Sequence, residues 1–137
     1  MNMADAAQLQ TQFESQMPEV KLVVLFGSQA RQKATDKSDW DIAFLATPDT
    51  YIGMEQFTLQ QDIALLLDLP FDDIDLVNLR RCSPLLAFAV AREGKPLYEA
   101  APAAFRLFQV RASKIYADTA KLRYFQKVYL GYGTQAP

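Results

Sequence analysis

The sequence predicts an α/β (α+β) fold, a small mixed β-sheet flanked by helices with a long C-terminal helix. Three observations carry this expectation. Short apolar runs rich in β-branched residues recur between segments rich in Ala, Gln and Leu, the alternation expected of strands covered by helices. Pro and Gly stand at the joints between these segments. Residues 103–129 contain neither, so a helix can run through them without interruption. With 137 residues, 50% hydrophobic and 22% charged, the chain fits a single domain, 1–137, able to bury a core.

Each element has its own warrant. Ala4 to Gln16 lacks Gly and Pro and reads as a helix that Pro18 stops. Val20 to Phe26 (VKLVVLF) is a buried strand ended by Gly27. The polar stretch Ser28 to Lys37 holds a short helix over Ser28–Lys33, and Asp39 to Leu45 (DWDIAFL) is the second strand, closed by Pro48 and Asp49. Met54 to Leu67 carries apolar Phe57, Ile63, Leu66 and Leu67 with polar residues between and reads as a helix, before Pro70. Ile74 to Leu79 is a third strand whose alternation turns Asp75 away from its apolar neighbours. Pro84 suits a helix start, and Gly94 a C-terminal cap. Lys95 to Glu99 is a short edge strand, the terminal helix follows, and the tail Gly131–Pro137 frays.

Composition removes several kinds of chemistry. Histidine is absent, which excludes Ser-His-Asp and Cys-His mechanisms and His-ligated metals. The single cysteine, Cys82, permits no internal disulfide and no Cys-built zinc site. A net charge of −2 provides no broad basic field, so direct nucleic-acid binding is not expected. No apolar run approaches the ~20 residues of a membrane span, and Met1 to Gln12 is too polar for a signal peptide. The expected location is the cytoplasm.

The informative residues follow the first strand: Gly27-Ser28-Gln29-Ala30-Arg31, then Ser38-Asp39-Trp40-Asp41-Ile42. Asp39 and Asp41, two apart on a predicted strand, share one face. Neighbouring carboxylates in an apolar element repel and are poorly solvated, and hard divalent cations with oxygen ligands offset both costs. Asp75 adds a third carboxylate if its strand lies beside the second. Three carboxylates around one or two Mg²⁺ suit phosphoryl transfer without any histidine. Gly27 allows close backbone approach, Ser28 offers a hydroxyl beside the backbone amides, and Arg31 lies one turn further on, together an anion site. Singly, each feature has a plain reading: a turn, a solvated strand edge, a surface charge. Together they are specific.

This set resembles the signature of the polymerase-β-like nucleotidyltransferase superfamily, in its minimal (MNT) branch: Gly27-Ser28, ten residues, Asp39-x-Asp41, with Ile74-Asp75-Leu76-Val77 on a later strand. The resemblance covers about residues 5–99. It implies a nucleotidyltransferase fold. It also implies that Gly27 and Ser28, with Arg31 and Ser38, bind nucleotide, and that Asp39, Asp41 and Asp75 bind Mg²⁺ and carry catalysis. Two positions depart from the usual pattern. Gln32 stands where relatives often have Gly, and Trp40 is bulkier than the aliphatic residue usual between the aspartates; it should point away from the metals.

Glu93-Gly94-Lys95-Pro96-Leu97-Tyr98-Glu99 and the following helix, with Tyr116, Asp118, Arg123 and Tyr124, resemble the MntA antitoxins of HEPN/MNT toxin–antitoxin pairs. That family transfers AMP from ATP onto a tyrosine of a partner HEPN RNase toxin and neutralises it, which implies ATP as co-substrate and a hetero-oligomer. No residue pattern selects the base. The terminal helix, about 103–130, carries more apolar and aromatic surface than a small sheet needs and is a candidate docking element. Two alternatives stand beside this reading. One is transfer to a small molecule of the aminoglycoside type. The other is a non-catalytic antitoxin that acts by binding alone.

Overall fold

The computed structural model describes residues 3–33, 35 and 39–131. In chain order it places α1 (Met3–Gln16), β1 (Val20–Phe26), α2 (Gly27–Ala30), β2 (Trp40–Ala46), α3 (Met54–Leu67), β3 (Ile74–Asn78), α4 (Pro84–Glu93), β4 (Lys95–Glu99), α5 (Ala104–Asp118) and α6 (Ala120–Phe125). A π-helical turn, Gln126–Leu130, continues α6. The predicted mixed sheet flanked by helices is present. Its order is β3-β2-β1-β4, with β1 antiparallel to β2 and β4 and β2 parallel to β3.

Strand alternation divides the side chains between two faces. One face holds Phe44, Ile42 and Val23 against Phe13 of α1 and Leu59 and Ile63 of α3. The other holds Leu22, Val24 and Ala43 against Val90 of α4 and Phe108 of α5. A bulge between Val20 and Leu22 lets Val20 join the first face although Leu22, two residues on, lies on the second. The Phe13 and Tyr98 rings stack at 4.7 Å and clamp α1 to the edge strand β4. Pro96 sits at an irregularity of that edge strand, where a missing N–H costs no ladder bond.

Glutamines serve both edges of the sheet. Gln10 donates from its amide nitrogen to the Glu99 carbonyl at 2.8 Å. On the opposite edge, Gln60 donates to the Ile74 carbonyl at 2.9 Å and Gln56 to the Leu76 carbonyl at 3.2 Å. Carbonyls that a lone edge strand would leave open are thereby satisfied.

Three expectations need correction. Gly94 does end α4, but with φ −72°, ψ 155° rather than a left-handed cap. Its reason for being glycine is space, since a Cβ there would overlap the Val24 side chain and the Val90 carbonyl. The short helix expected over Ser28–Lys33 is the single turn α2, because Gln32 turns to φ +58° and ends it. The long terminal helix is interrupted at Thr119. The Thr119 hydroxyl donates to the Tyr116 carbonyl at 2.7 Å, and Arg123 donates to the same carbonyl at 3.1 Å. Both bonds compete with the regular helical ladder and loosen it at that point. Arg123 also lies over the Tyr116 ring, 4.1 Å from its centre, and that ring stacks on Phe88 of α4 at 4.1 Å. The tail expected to fray lies, after Gly131, outside the described residues.

Candidate active site

The site forms where β1 ends and β2 begins. Phe26 is paired with Asp41 across the antiparallel ladder, so Gly27, the next residue, meets the Asp41 side chain. Gly27 has φ +73°, and a Cβ built on it would lie 3.0 Å from the Asp41 Cγ and overlap the carboxylate oxygen. Only glycine satisfies both the dihedral and the space. Past it, α2 makes one turn: the Arg31 amide donates to the Gly27 carbonyl at 3.1 Å and the Lys33 amide to the Ser28 carbonyl at 3.0 Å.

Asp41 and Asp75 are direct partners in the parallel ladder of β2 and β3. Neighbouring side chains in such a ladder point the same way. Ala43 and Val77, two residues further along each strand, belong to the α4–α5 face, so both carboxylates lie at the end of that face. Trp40 packs on the opposite core, as expected. Asp39 shares the parity of Asp41 but precedes the strand and is exposed. The sheet thus fixes two of the three carboxylates, and the third sits at its mouth. Among the described residues no three acidic or cysteine side chains are drawn close enough to grip one ion. Ser38 lies outside the described residues.

Asp41 nevertheless feels the other two carboxylates. Burial pushes the Asp41 carboxyl above its ordinary value, the charges of Asp75 and then Asp39 push it the same way, and Arg31 pulls it back. Hard oxygen donors whose charges oppose one another form a donor set that suits a divalent cation. Arg31 itself is paired with Glu93 at the end of α4, 3.4 Å away, with both side chains about half exposed. An exposed pair of this kind is worth about 0–1 kcal/mol, so a phosphate could displace it at small cost.

Sequence reasoning missed Glu93 as the partner of Arg31, and it missed Gln56 and Gln60. Their bonds to the Leu76 and Ile74 carbonyls flank Asp75 on its strand and fix where that carboxylate stands. The signal was a pair of glutamines four apart on a helix just ahead of the Asp75 strand.

Comparison with known proteins places the chain in one family. The pattern described as Polymerase beta, Nucleotidyltransferase matches residues 7–103. A relative from Aphanizomenon flos-aquae, called protein adenylyltransferase MntA, is 34% identical over 114 residues, covering 79% of this chain and 76% of its own. One of the same name from Shewanella oneidensis is 39% identical over 82 residues, covering 60% of this chain and 56% of its own. Among solved structures, a toxin–antitoxin complex with AMP-PNP superposes with a TM-score of 0.70 at 31% identity, over 90% of this chain and 94% of that one. A complex of tri-AMPylated Shewanella oneidensis HEPN toxin with MNT antitoxin gives a TM-score of 0.64 at 30% identity, over 90% and 93% of the two chains.

Proposed function

We propose that this chain, which belongs to the polymerase beta nucleotidyltransferase family, is an antitoxin enzyme that transfers AMP from ATP onto a tyrosine of a partner HEPN RNase toxin and so neutralises it. The observation that carries this reading is the in-register pair Asp41 and Asp75, set against Gly27 at the end of β1. The kinship with protein adenylyltransferases and with antitoxin structures supports the acceptor. We place the protein in the cytoplasm; no described helix is long and apolar enough to cross a membrane.

In the proposed reaction a tyrosine oxygen attacks the α-phosphorus of ATP, a new P–O bond forms, the bond to the β-phosphate oxygen breaks, and pyrophosphate leaves. Asp39, Asp41 and Asp75 are the residues that would hold Mg²⁺, in two ions. When bound, Mg²⁺ supplies charge neutralisation on the phosphates and lowers the pKa of the attacking hydroxyl. Asp75, at the exposed edge of the sheet, takes the phenolic proton as the bond forms. Gly27 lets the triphosphate approach the backbone, Ser28 and Ser38 offer hydroxyls, and Arg31 leaves Glu93 to pair with phosphate oxygens.

The test uses α-³²P-labelled nucleotides, one at a time, with Mg²⁺, the chain and its co-encoded HEPN toxin. Label from ATP should appear on the toxin on a denaturing gel and disappear with Asp39→Asn plus Asp41→Asn. Label that persists at the wild-type rate in that variant would remove the metal assignment. Absence of label on any protein would remove the acceptor assignment.

A further inference from the structure

The C-terminal helices carry charge and exposed apolar surface that the transfer chemistry does not use. Residues 104–130 hold six Lys or Arg and a single Asp, in a chain whose net charge is −2. Phe108 and Ala112 are the buried residues of α5, and α6 has none. Leu107 and Ile115 are each 52% exposed, and Leu122 and Phe125 are 58% and 49%. These are large side chains to leave against water.

Leu107, Arg111 and Ile115 follow at four-residue spacing and form one wall of a groove of about 440 Å³. Leu45 and Leu79 contribute to its lining, and Lys21, Arg80 and Arg111 are its charged groups, all cations. The groove lies where β1 starts and β2 and β3 end, the end of the sheet opposite Asp41. A molecule seated there leaves the catalytic corner open.

We infer that this groove and the adjoining α6 form the docking surface for the AMP-accepting protein, engaged by a helix whose apolar ridge is flanked by Asp and Glu. The inference rests on the function proposed above and adds the surface and the chemistry of its occupant. The charge argues for an acidic partner, because the charged groups that line the groove are Lys21, Arg80 and Arg111, with no carboxylate among them. The shape argues for a protein: a walled apolar trough fits the ridge of a helix, and Tyr and Phe on its extension are enriched in protein interfaces. A nucleic acid would be held by phosphate contacts and would leave the leucine lining unused.

Docking and chemistry are therefore separable. With purified HEPN toxin as the probe, Lys21→Glu/Arg111→Glu/Lys121→Glu should weaken the complex by about 100-fold or more, since it replaces attraction with like charge. Leu122→Ser/Phe125→Ser should weaken it by about tenfold or more. In both, KM for the toxin should rise while kcat at saturating toxin stays near wild type. ATP-dependent thermal stabilisation, unchanged in both, confirms that each variant is folded at the catalytic end. A wild-type chain that fails to bind the toxin would overturn the proposed function. Wild-type binding that both variants match within twofold would overturn the docking surface alone. Toxin binding untouched while the charge-reversed variant loses affinity for single-stranded RNA would also overturn it, and would assign the face to nucleic acid.

Discussion

The two faces of this sheet are covered by helix pairs of similar length, yet they do different work. Beneath α1 and α3 lie fourteen described buried residues, with both Phe13 and Phe44 fully out of contact with solvent. Beneath α4 and α5 lie eight, of which three are alanines. The strand that sends Phe44 into the first face sends Asp41 to the second. The larger core provides much of the stability, and it allows the other face to tolerate like charges at one end and a groove at the other. A fold can afford strain on one side when packing on the other holds the strands in register.

The sharpest way to break this division is to alter both sides of β2. Asp39→Asn with Asp41→Asn should lower AMP transfer by about a thousandfold or more, as loss of a catalytic unit does. The melting temperature of the metal-free protein should hold or rise. The sign follows from Asp41, whose folded carboxyl is raised by burial and by Asp75 and Asp39. Above that raised value the charged form weakens the fold, and as pH falls through it protonation relieves the penalty. The Asn variant should thus lose the stability gain that the wild type shows on mild acidification. Circular dichroism melts across pH 4–7 measure this. A large destabilisation would mean that the carboxylates are structural.

Phe44→Ala, three residues away on the same strand, should do the reverse. A fully buried phenylalanine cut to alanine costs about 3–5 kcal/mol, read by chemical denaturation, while the protein that remains folded keeps its affinity for ATP. Leu107→Ala, on exposed α5, should cost under about 0.5 kcal/mol. If the two costs proved similar, the outer side of α5 would be packed in solution rather than free.

Much of this was legible because it rests on local chemistry. Gly27-Ser28 and Asp39-x-Asp41 are short-range patterns, and the period of two on β2 and β3 places Asp41 and Asp75 on one face once the strands are neighbours. That adjacency, and its parallel register, is a long-range fact that no local spacing contains. For the same reason Glu93 was not legible as the partner of Arg31: it is 62 positions away and meets it through packing of α4. The break at Thr119 was missed because helix propensity sees neither Gly nor Pro there, whereas the break arises from side-chain bonds to the Tyr116 carbonyl. Gln32 shows the converse: a departure from the family pattern that the backbone accommodates at φ +58°, a conformation glycine would enter at lower cost.

Gly27→Ala sharpens the comparison at the site itself. The left-handed φ of +73° costs an L-residue about 1–2 kcal/mol, and the new methyl must displace the Asp41 carboxylate. Activity should fall further than stability, by about a hundredfold, because a shift of about 1 Å at a reacting centre has that effect. Equal loss of activity in Asp41→Asn and in the double variant Gly27→Ala/Asp41→Asn would show that Gly27 acts through Asp41. Additive losses would assign it a separate role toward the triphosphate.

A small effect, confined to alkaline pH, is expected on the thicker face, which also holds a perturbed titratable group. Tyr51 packs on that core, edge-on to Phe44 at 6.2 Å, and its hydroxyl donates to Glu19 at 3.4 Å. Burial first, and then the Glu19 charge, push its phenol up to about 12. Here the neutral form is favoured in the fold, so below pH 10 nothing is gained or lost. Between about pH 10 and 12 the unfolded chain ionises while the folded one does not, and stability falls. Two pKa units would correspond to about 2.7 kcal/mol for a fully buried group; solvent around Tyr51 reduces this to about 1 kcal/mol. Tyr51→Phe should flatten the alkaline limb by that amount and leave AMP transfer at neutral pH unchanged. The alkaline limb of Tyr51→Phe and the acid limb of Asp39→Asn/Asp41→Asn then report the two faces separately. If either variant changed both limbs, the faces would be coupled through β2 rather than independent.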